Sequence, residues 1–396
     1  MKLIKAKIEY NRKTVKSSLF GWGLFERKAI CLGKLGTVLL SGRSEKTIRP
    51  GKTDIPDSRP ENSSVLPWPD GDAISEQDLK AYMMKDYIDE NRIQRAMDEA
   101  FAEPNPKKPI RTRALLVVYD GYLIAERYAP GFTRDTPLIG WSMKKSVINA
   151  LIGILVQQGK LSIYDPAPVP EWQTHGDPRH TITIDQLLRM SSGLKFSEGY
   201  EGRPFSDSNI MLFLKPDMAA YAARKPLRAP PDTKWSYSSG TSNILARIIR
   251  QSFDRQEDYY SFPGKHLFGK IGMRHTILEP DASGTYVHIF ATARDWARFG
   301  LLYLNDGVWN GERILPHGWV AYSTTSRLET RYGAQFWLGK YFDSIPDDLF
   351  YALGYQGQVV AMIPSRKLVI VRLGMTQHDA WPIYLFLKEI LKALPF

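Results

Sequence analysis

The chain has 396 residues, 43% hydrophobic and 24% charged, with a net charge of +11. That is an ordinary globular composition, long enough for a two-part body plus an extension. The single cysteine, Cys31, excludes an intramolecular disulfide and a cysteine-built zinc site.

The charge is uneven. Residues 1–53 hold 13 Lys and Arg against 3 Asp and Glu. Residues 1–75 therefore read as a basic N-terminal extension, then a Pro-rich linker or surface-wrapping loop marked by Pro50, Pro56, Pro60, Pro67 and Pro69. Such a basic stretch suits an anionic membrane surface, a nucleic acid or a partner, and equally a solvated extension. Between Ser17 and Leu40 the residues Glu26, Arg27, Lys28 and Lys34 interrupt the apolar pattern. Neither a spanning helix nor a compact signal-like stretch is expected there.

Over 78–102 the residues Ile93, Ala96, Met97 and Ala100 share one face and predict a helix. A hairpin follows, with a β-branched strand over 114–119, the turn pair Asp120-Gly121 and a return strand over 122–128. A second hairpin is expected at 358–363 and 368–373, turning at Pro364-Ser365-Arg366-Lys367, and a last helix over 381–394. Hairpins near both ends, with helical patterns between, predict an α/β fold with one antiparallel sheet built from both chain ends. The expected sheet regions are about 76–140 and 300–396, and the helical region about 141–299, all within one domain over 76–396.

Three segments carry chemistry. The first is Ser142-Met143-Lys144-Lys145, at the head of an apolar run from Val147 to Val156 that stops at Gly159. A serine at a helix start and a lysine three residues on lie on one face, one turn apart. The helix N-terminus favours an oxyanion, and an amine in an apolar setting readily takes or shares a proton. The plain alternative is an N-cap serine with a snorkelling lysine.

The second segment is Tyr237-Ser238-Ser239-Gly240, ahead of another apolar helix. A phenol is a poor base alone and a credible one beside an ammonium. Tyr237 also fits an ordinary core tyrosine. The third is Gly354-Tyr355-Gln356-Gly357-Gln358, either a hairpin turn or a strand edge whose N–H completes an oxyanion hole. No Gly-x-Ser-x-Gly element is present, which disfavours a Ser-His-Asp hydrolase. His175 and His180 are close in sequence, but no His-Glu-x-x-His helix surrounds them.

In this order the three segments resemble the class C β-lactamase and penicillin-binding-protein superfamily. Asp185-Gln186-Leu187-Leu188-Arg189-Met190-Ser191-Ser192-Gly193-Leu194 is similar to its helix and turn after the first motif. Ala291-Thr292-Ala293-Arg294-Asp295-Trp296 and Asn305-Asp306-Gly307-Val308-Trp309 are similar to later stretches. Gly140-Trp141-Ser142-Met143-Lys144-Lys145 and Tyr237-Ser238-Ser239-Gly240-Thr241-Ser242-Asn243 look most like the branch of 6-aminohexanoate-dimer hydrolase and related carboxylesterases. The resemblance covers about residues 80–396.

It implies a β-lactamase-like fold and an amide- or ester-cleaving serine hydrolase. Ser142 would be the nucleophile, Lys145 its adjacent base, and Tyr237 the relay of protons to the leaving group. The N–H groups of Ser142 and Tyr355, in preference to Gln358, would form the oxyanion hole. Tyr200 would close over substrate, with Ser239, Gln356 and Gly357 facing it. No metal or cofactor is implied, the partner is a small-molecule amide or ester, and no nucleic acid is expected. Contact of residues 1–53 with a membrane surface or a partner, and a homodimer, stay open. The reading is cytoplasmic, with membrane-peripheral and periplasmic placement left open.

Two departures bear on substrate. The lactamases have Tyr-x-Asn where this chain has Ser239, and a Lys-Thr-Gly strand where it has Tyr355-Gln356-Gly357. Losing that lysine favours a neutral or cationic substrate. The alternatives are a β-lactamase or D-alanyl-D-alanine peptidase, and an inactive binding member of the same fold.

Overall fold

The computed structural model describes residues 4–19, 24–44, 65–85, 87–339, 342–377 and 381–395. The chain forms two compact units. One comprises residues 1–55, 158–261 and 277–289, and the other 56–157, 262–276 and 290–396.

The second unit is built on a six-stranded antiparallel sheet. Its spatial order is Trp337–Leu338, Phe350–Gly354, Gln358–Ile363, Leu368–Gly374, Thr112–Tyr119 and Tyr122–Tyr128. The late strand Leu368–Gly374 pairs with the early strand Thr112–Tyr119, Val371 opposite Leu116, so both chain ends do build the sheet. Leu115, Leu116, Val117 and Val118 are wholly buried, which explains a continuous apolar run instead of an alternating one. Asp120 and Gly121 turn with φ of +48° and +84°, the left-handed pair that a two-residue hairpin needs.

Helices Glu90–Phe101 and Ile383–Ala393 pack together, and Ile93, Met97, Leu387 and Ile390 join the core of Leu115, Val117 and Ile370. Helix Ala293–Leu304 packs on strands Gln358–Ile363 and Leu368–Gly374. The single helix expected over 78–102 is two, Glu76–Lys85 and Glu90–Phe101. Tyr87 takes a φ of +53°, and the Asp89 carboxylate caps a new start by accepting from Arg92 N at 2.9 Å.

Of the Pro-rich segment, Pro50, Pro56 and Pro60 lie outside the described residues. Pro67 and Pro69 belong to a strap held by arginines of helix Ala293–Leu304. Arg298 donates to Pro69 O and Gly71 O, both at 2.7 Å, and to the Asp72 carboxylate, and its guanidinium lies 4.7 Å from the Trp68 ring centroid. Arg294 donates to Asp72 O and, through two nitrogens, to Glu126.

In the first unit, the described residues of the basic segment form a meander of four antiparallel strands, Ile4–Glu9, Thr14–Leu19, Leu24–Cys31 and Thr37–Leu39. Alternation puts Thr14, Ile30 and Val38 inside, with Ile30 and Val38 packed on Ala282. Thr37 N donates to Glu279 Oε1 at 2.6 Å. Lys7, Lys16 and Lys28 stand in register on the same face as Thr14 and Ile30, while the apolar Ile8 and Val15 lie on the exposed face, so no apolar face reads out of the sequence. Cys31 is exposed on this sheet. Among the described residues no helix is long and apolar enough to cross a membrane.

The loop before helix Asp207–Leu214 is tied down at Asp207, whose carboxylate accepts from Ser197 N and Oγ, Tyr221 Oη and Lys225 Nζ. Burial alone would raise this carboxyl, but the bonds from Lys225, Tyr221 and Ser197 outweigh it and hold the group down at about 2. Its stabilisation is therefore present above pH 4 and is lost as pH falls through about 2. Asp207→Asn should cost about 2 kcal/mol at pH 7 and flatten the acid side of the stability curve, read by urea unfolding between pH 7 and 3.

The apolar segment after Ser142 forms helix Lys144–Gln157, buried from Lys144 through Leu155. Its one internal amide, Asn149, is wholly buried and fully used. Its Nδ2 donates to Ser323 Oγ at 3.0 Å and Ala334 O at 2.9 Å, and its Oδ1 accepts from Tyr303 Oη and Trp319 Nε1. Asn149→Ala should lower stability by about 3 kcal/mol, because it orphans several buried polar groups at once. A shift in the denaturant midpoint smaller than that of an ordinary surface substitution would contradict this.

Candidate active site

The helix begins on a tight turn. Trp141 sits at φ +48°, a costly conformation for a bulky residue, and Met143 N closes the turn on Gly140 O at 3.0 Å. The short 3-10 turn Trp141–Met143 then runs into helix Lys144–Gln157. Ser142 is half-buried, within reach of a ligand, while Lys145 is 3% exposed. Lys145 Nζ lies 3.1 Å from Ser142 Oγ. One helical turn thus delivers an amine from the protein interior onto a hydroxyl at a helix N-terminus.

The Gly354 turn lies against this one. A Cβ on Gly354 would fall 2.2 Å from Gly140 O, so the residue must be glycine for the two backbones to touch. The Tyr355 ring meets the Trp141 ring edge-on, with centroids 5.7 Å apart. Gln356 and Gly357 turn the chain with φ of +62° and +79°. Their carbonyls face inward, Gln356 O accepting from Thr376 N and Gln358 Nε2, and Gly357 O from Arg372. Gln358 also donates to Tyr355 O at 3.0 Å and closes a reciprocal pair with the Gly374 backbone. The second unit therefore brings Ser142, Lys145, Tyr355, Gln356 and Gly357 together.

In the first unit, Ser238 caps helix Ser239–Gln251, its Oγ accepting from Thr241 N at 3.1 Å. Tyr237 precedes the cap, its ring 6.5 Å from that of Trp235. The unit brings Tyr200 and Ser239 together on a carboxylate that the sequence reading did not single out, Glu198. Glu198 accepts from Ser239 N at 2.9 Å, Ser239 Oγ at 2.6 Å and Tyr200 Oη at 2.9 Å, and Tyr200 Oη lies 3.2 Å from Ser239 Oγ. Burial, and next the Glu198 charge, push the Tyr200 phenol upward, so it stays a neutral donor. The only sequence signal for Glu198 was its place two residues before Tyr200 in the same loop. Arg372, which braces the Gly354 turn, was likewise hidden inside an apolar strand.

Among the described residues no group of three His, Cys, Asp or Glu side chains is arranged to hold a metal. His180 sits in the short 3-10 turn Pro178–Thr181 instead of a loop, its Nδ1 2.5 Å from Asp177 O. The chemistry this geometry supports is nucleophilic attack by a hydroxyl, with an amine to take its proton.

Residues 91–382 match the family model described as Beta-lactamase. A 6-aminohexanoate-dimer hydrolase of Paenarthrobacter ureafaciens is 26% identical over 307 residues, covering 68% of this chain and 73% of that protein. Among solved structures, a candidate 6-aminohexanoate-dimer hydrolase from Bacillus anthracis superposes with a TM-score of 0.62 at 23% identity, over 78% of this chain and 86% of that one. A class C β-lactamase in complex with cefoxitin superposes with a TM-score of 0.58 at 18% identity, over 78% of this chain and 100% of that one. These superpositions show the β-lactamase-like fold. The chain belongs to the Beta-lactamase family and shares its fold with serine hydrolases.

Proposed function

We propose that this protein cleaves a neutral or cationic ester or amide by acyl transfer through Ser142. The observation that carries the reading is the 3.1 Å contact between Lys145 Nζ and Ser142 Oγ at the mouth of a buried helix. A lysine 3% exposed is costly unless the site uses it. The proposed steps are these. Ser142 Oγ attacks the carbonyl carbon as its proton passes to Lys145, and the N–H groups of Ser142 and Tyr355 hold the oxyanion. Tyr237 relays a proton to the leaving nitrogen or oxygen, and the carbonyl re-forms as that bond breaks. Water then attacks the acyl-enzyme, gives its proton back through the same groups and releases the acid.

The substrate class follows from the Tyr355-Gln356-Gly357 stretch, which offers no lysine to a substrate carboxylate. Together with the similarity to 6-aminohexanoate-dimer hydrolase, this supports linear amides and short acyl esters over β-lactams. Tyr200 and Ser239, tied to Glu198, are the proposed substrate-binding residues of the first unit.

Ser142→Ala should abolish covalent labelling by a fluorophosphonate, read as intact mass. Lys145→Ala should cost about a thousandfold in kcat on a p-nitrophenyl ester, and Tyr237→Phe about a hundredfold. Near-native turnover by either of these two variants would sink the assignment. In a substrate panel, p-nitrophenyl butyrate and a linear 6-aminohexanoate amide should be turned over far faster than nitrocefin. A preference for nitrocefin would overturn the reading of a neutral or cationic substrate.

A further inference from the structure

We infer that Arg372 is a positioning residue for the oxyanion hole, a sealed cation that fixes the turn carrying the Tyr355 N–H. The inference rests on the acyl-transfer reading above. Arg372 lies in strand Leu368–Gly374, paired with Val359 on one side and Leu115 on the other, and is wholly buried. Its Nη1 donates to Gly357 O at 2.9 Å and Gln356 O at 3.3 Å. Its Nη2 donates to Ile110 O at 2.8 Å and Thr112 Oγ1 at 3.0 Å, and its Nε reaches Thr112 Oγ1 at 3.3 Å. The Trp381 ring covers the guanidinium, with its centroid 4.8 Å away.

Every one of those acceptors is neutral. Among the described residues no carboxylate forms an ion pair with Arg372. Burial lowers this guanidinium to about 9, with the Glu103 charge opposing and the Arg113 charge adding to it, so it still carries its proton at neutral pH. A buried charge with no carboxylate bonded to it is expensive for a fold to hold. Bracing a turn does not require one, since the neutral amide of Gln358 already binds Tyr355 O and Gln356 O. What Arg372 adds is charge.

That charge sits at the carbonyl end of the peptide units that form the turn. In a trans peptide the C=O and the next N–H point in opposite directions. The carbonyls drawn onto the cation, Gln356 O and Gly357 O, belong to the peptide units that carry the N–H groups of Gly357 and Gln358, so charge-assisted bonds hold the turn that directly follows Tyr355. The approach depends on Gly357, because a Cβ there would fall 2.6 Å from Arg372 Nη1. The lysine of the related Lys-Thr-Gly strands would face a substrate carboxylate. Arg372, being sealed, supports the oxyanion without selecting an anionic substrate, which fits cleavage of neutral or cationic esters and amides.

The test uses the full chain and p-nitrophenyl butyrate. Arg372→Gln should lower kcat by about ten- to a hundredfold with KM changed less than twofold. Arg372→Lys should recover part of that loss, because it restores the charge without the fork of bonds. Affinity for an alkylboronic acid, which mimics the tetrahedral oxyanion, should weaken in parallel with kcat. Where Arg372→Gln does not fold by circular dichroism, Thr112→Val is read instead. It removes only one acceptor and should lower kcat by about three- to tenfold at constant KM. A folded Arg372→Gln or Thr112→Val protein with native kcat, or a lysine variant no better than glutamine, overturns the inference. Wild-type protein that takes up no fluorophosphonate defeats the acyl-transfer reading itself. Labelled wild type with unaffected variants defeats only the role of Arg372.

Discussion

Lys145 reaches Ser142 from inside the protein, and that 3.1 Å approach is the constraint to which the surrounding structure answers. The helix that carries Lys145, continuous with the turn of Ser142, is buried along nearly its whole length. It cannot slide or rotate without breaking Ser146 from Gln335 O and Asn149 from Tyr303, Trp319, Ser323 and Ala334. Two of those partners, Tyr303 and Trp319, are large aromatic side chains spending their only polar atom on one amide. A polar network of this kind fixes register more sharply than apolar packing does. The position of the amine is thus inherited from the core.

Backbone strain supplies the second condition. Trp141 is held at positive φ immediately before the serine, and Gln356 and Gly357 at positive φ in the turn opposite. Two bent segments meet where Gly354 lies against Gly140. Neither is stable by its own propensity. Each is over-determined, the first by the buried helix and the second by Arg372, Gln358 and Thr376. Rigidity thus lies beneath the reacting atoms, while Ser142 and Tyr355 themselves stay half-open to solvent.

Much of this was legible in the residues. The two hairpins follow from β-branched runs broken by Asp120-Gly121 and Pro364-Ser365, signals that act within a few residues and need no tertiary help. The motif serine and lysine were legible because helical spacing forces them onto one face. The N-terminal meander was not. Its lysines Lys7, Lys16 and Lys28 share a face with the buried Thr14 and Ile30 while Ile8 and Val15 face outward, and its burial depends on Ala282, far along the chain. The break between helices Glu76–Lys85 and Glu90–Phe101 was hidden because the apolar face is continuous across it, and only the Asp89 cap marks it. Glu198 and Arg372 were hidden for another reason. Their roles depend on carbonyls and hydroxyls brought to them by distant segments.

The most direct test of the central claim is to trap the intermediate. A rapid acid quench of the protein turning over p-nitrophenyl butyrate, followed by peptide mapping, should find one butyryl group on the peptide containing Ser142. Steady hydrolysis with that peptide unmodified, or with the acyl group on another residue, would contradict the account.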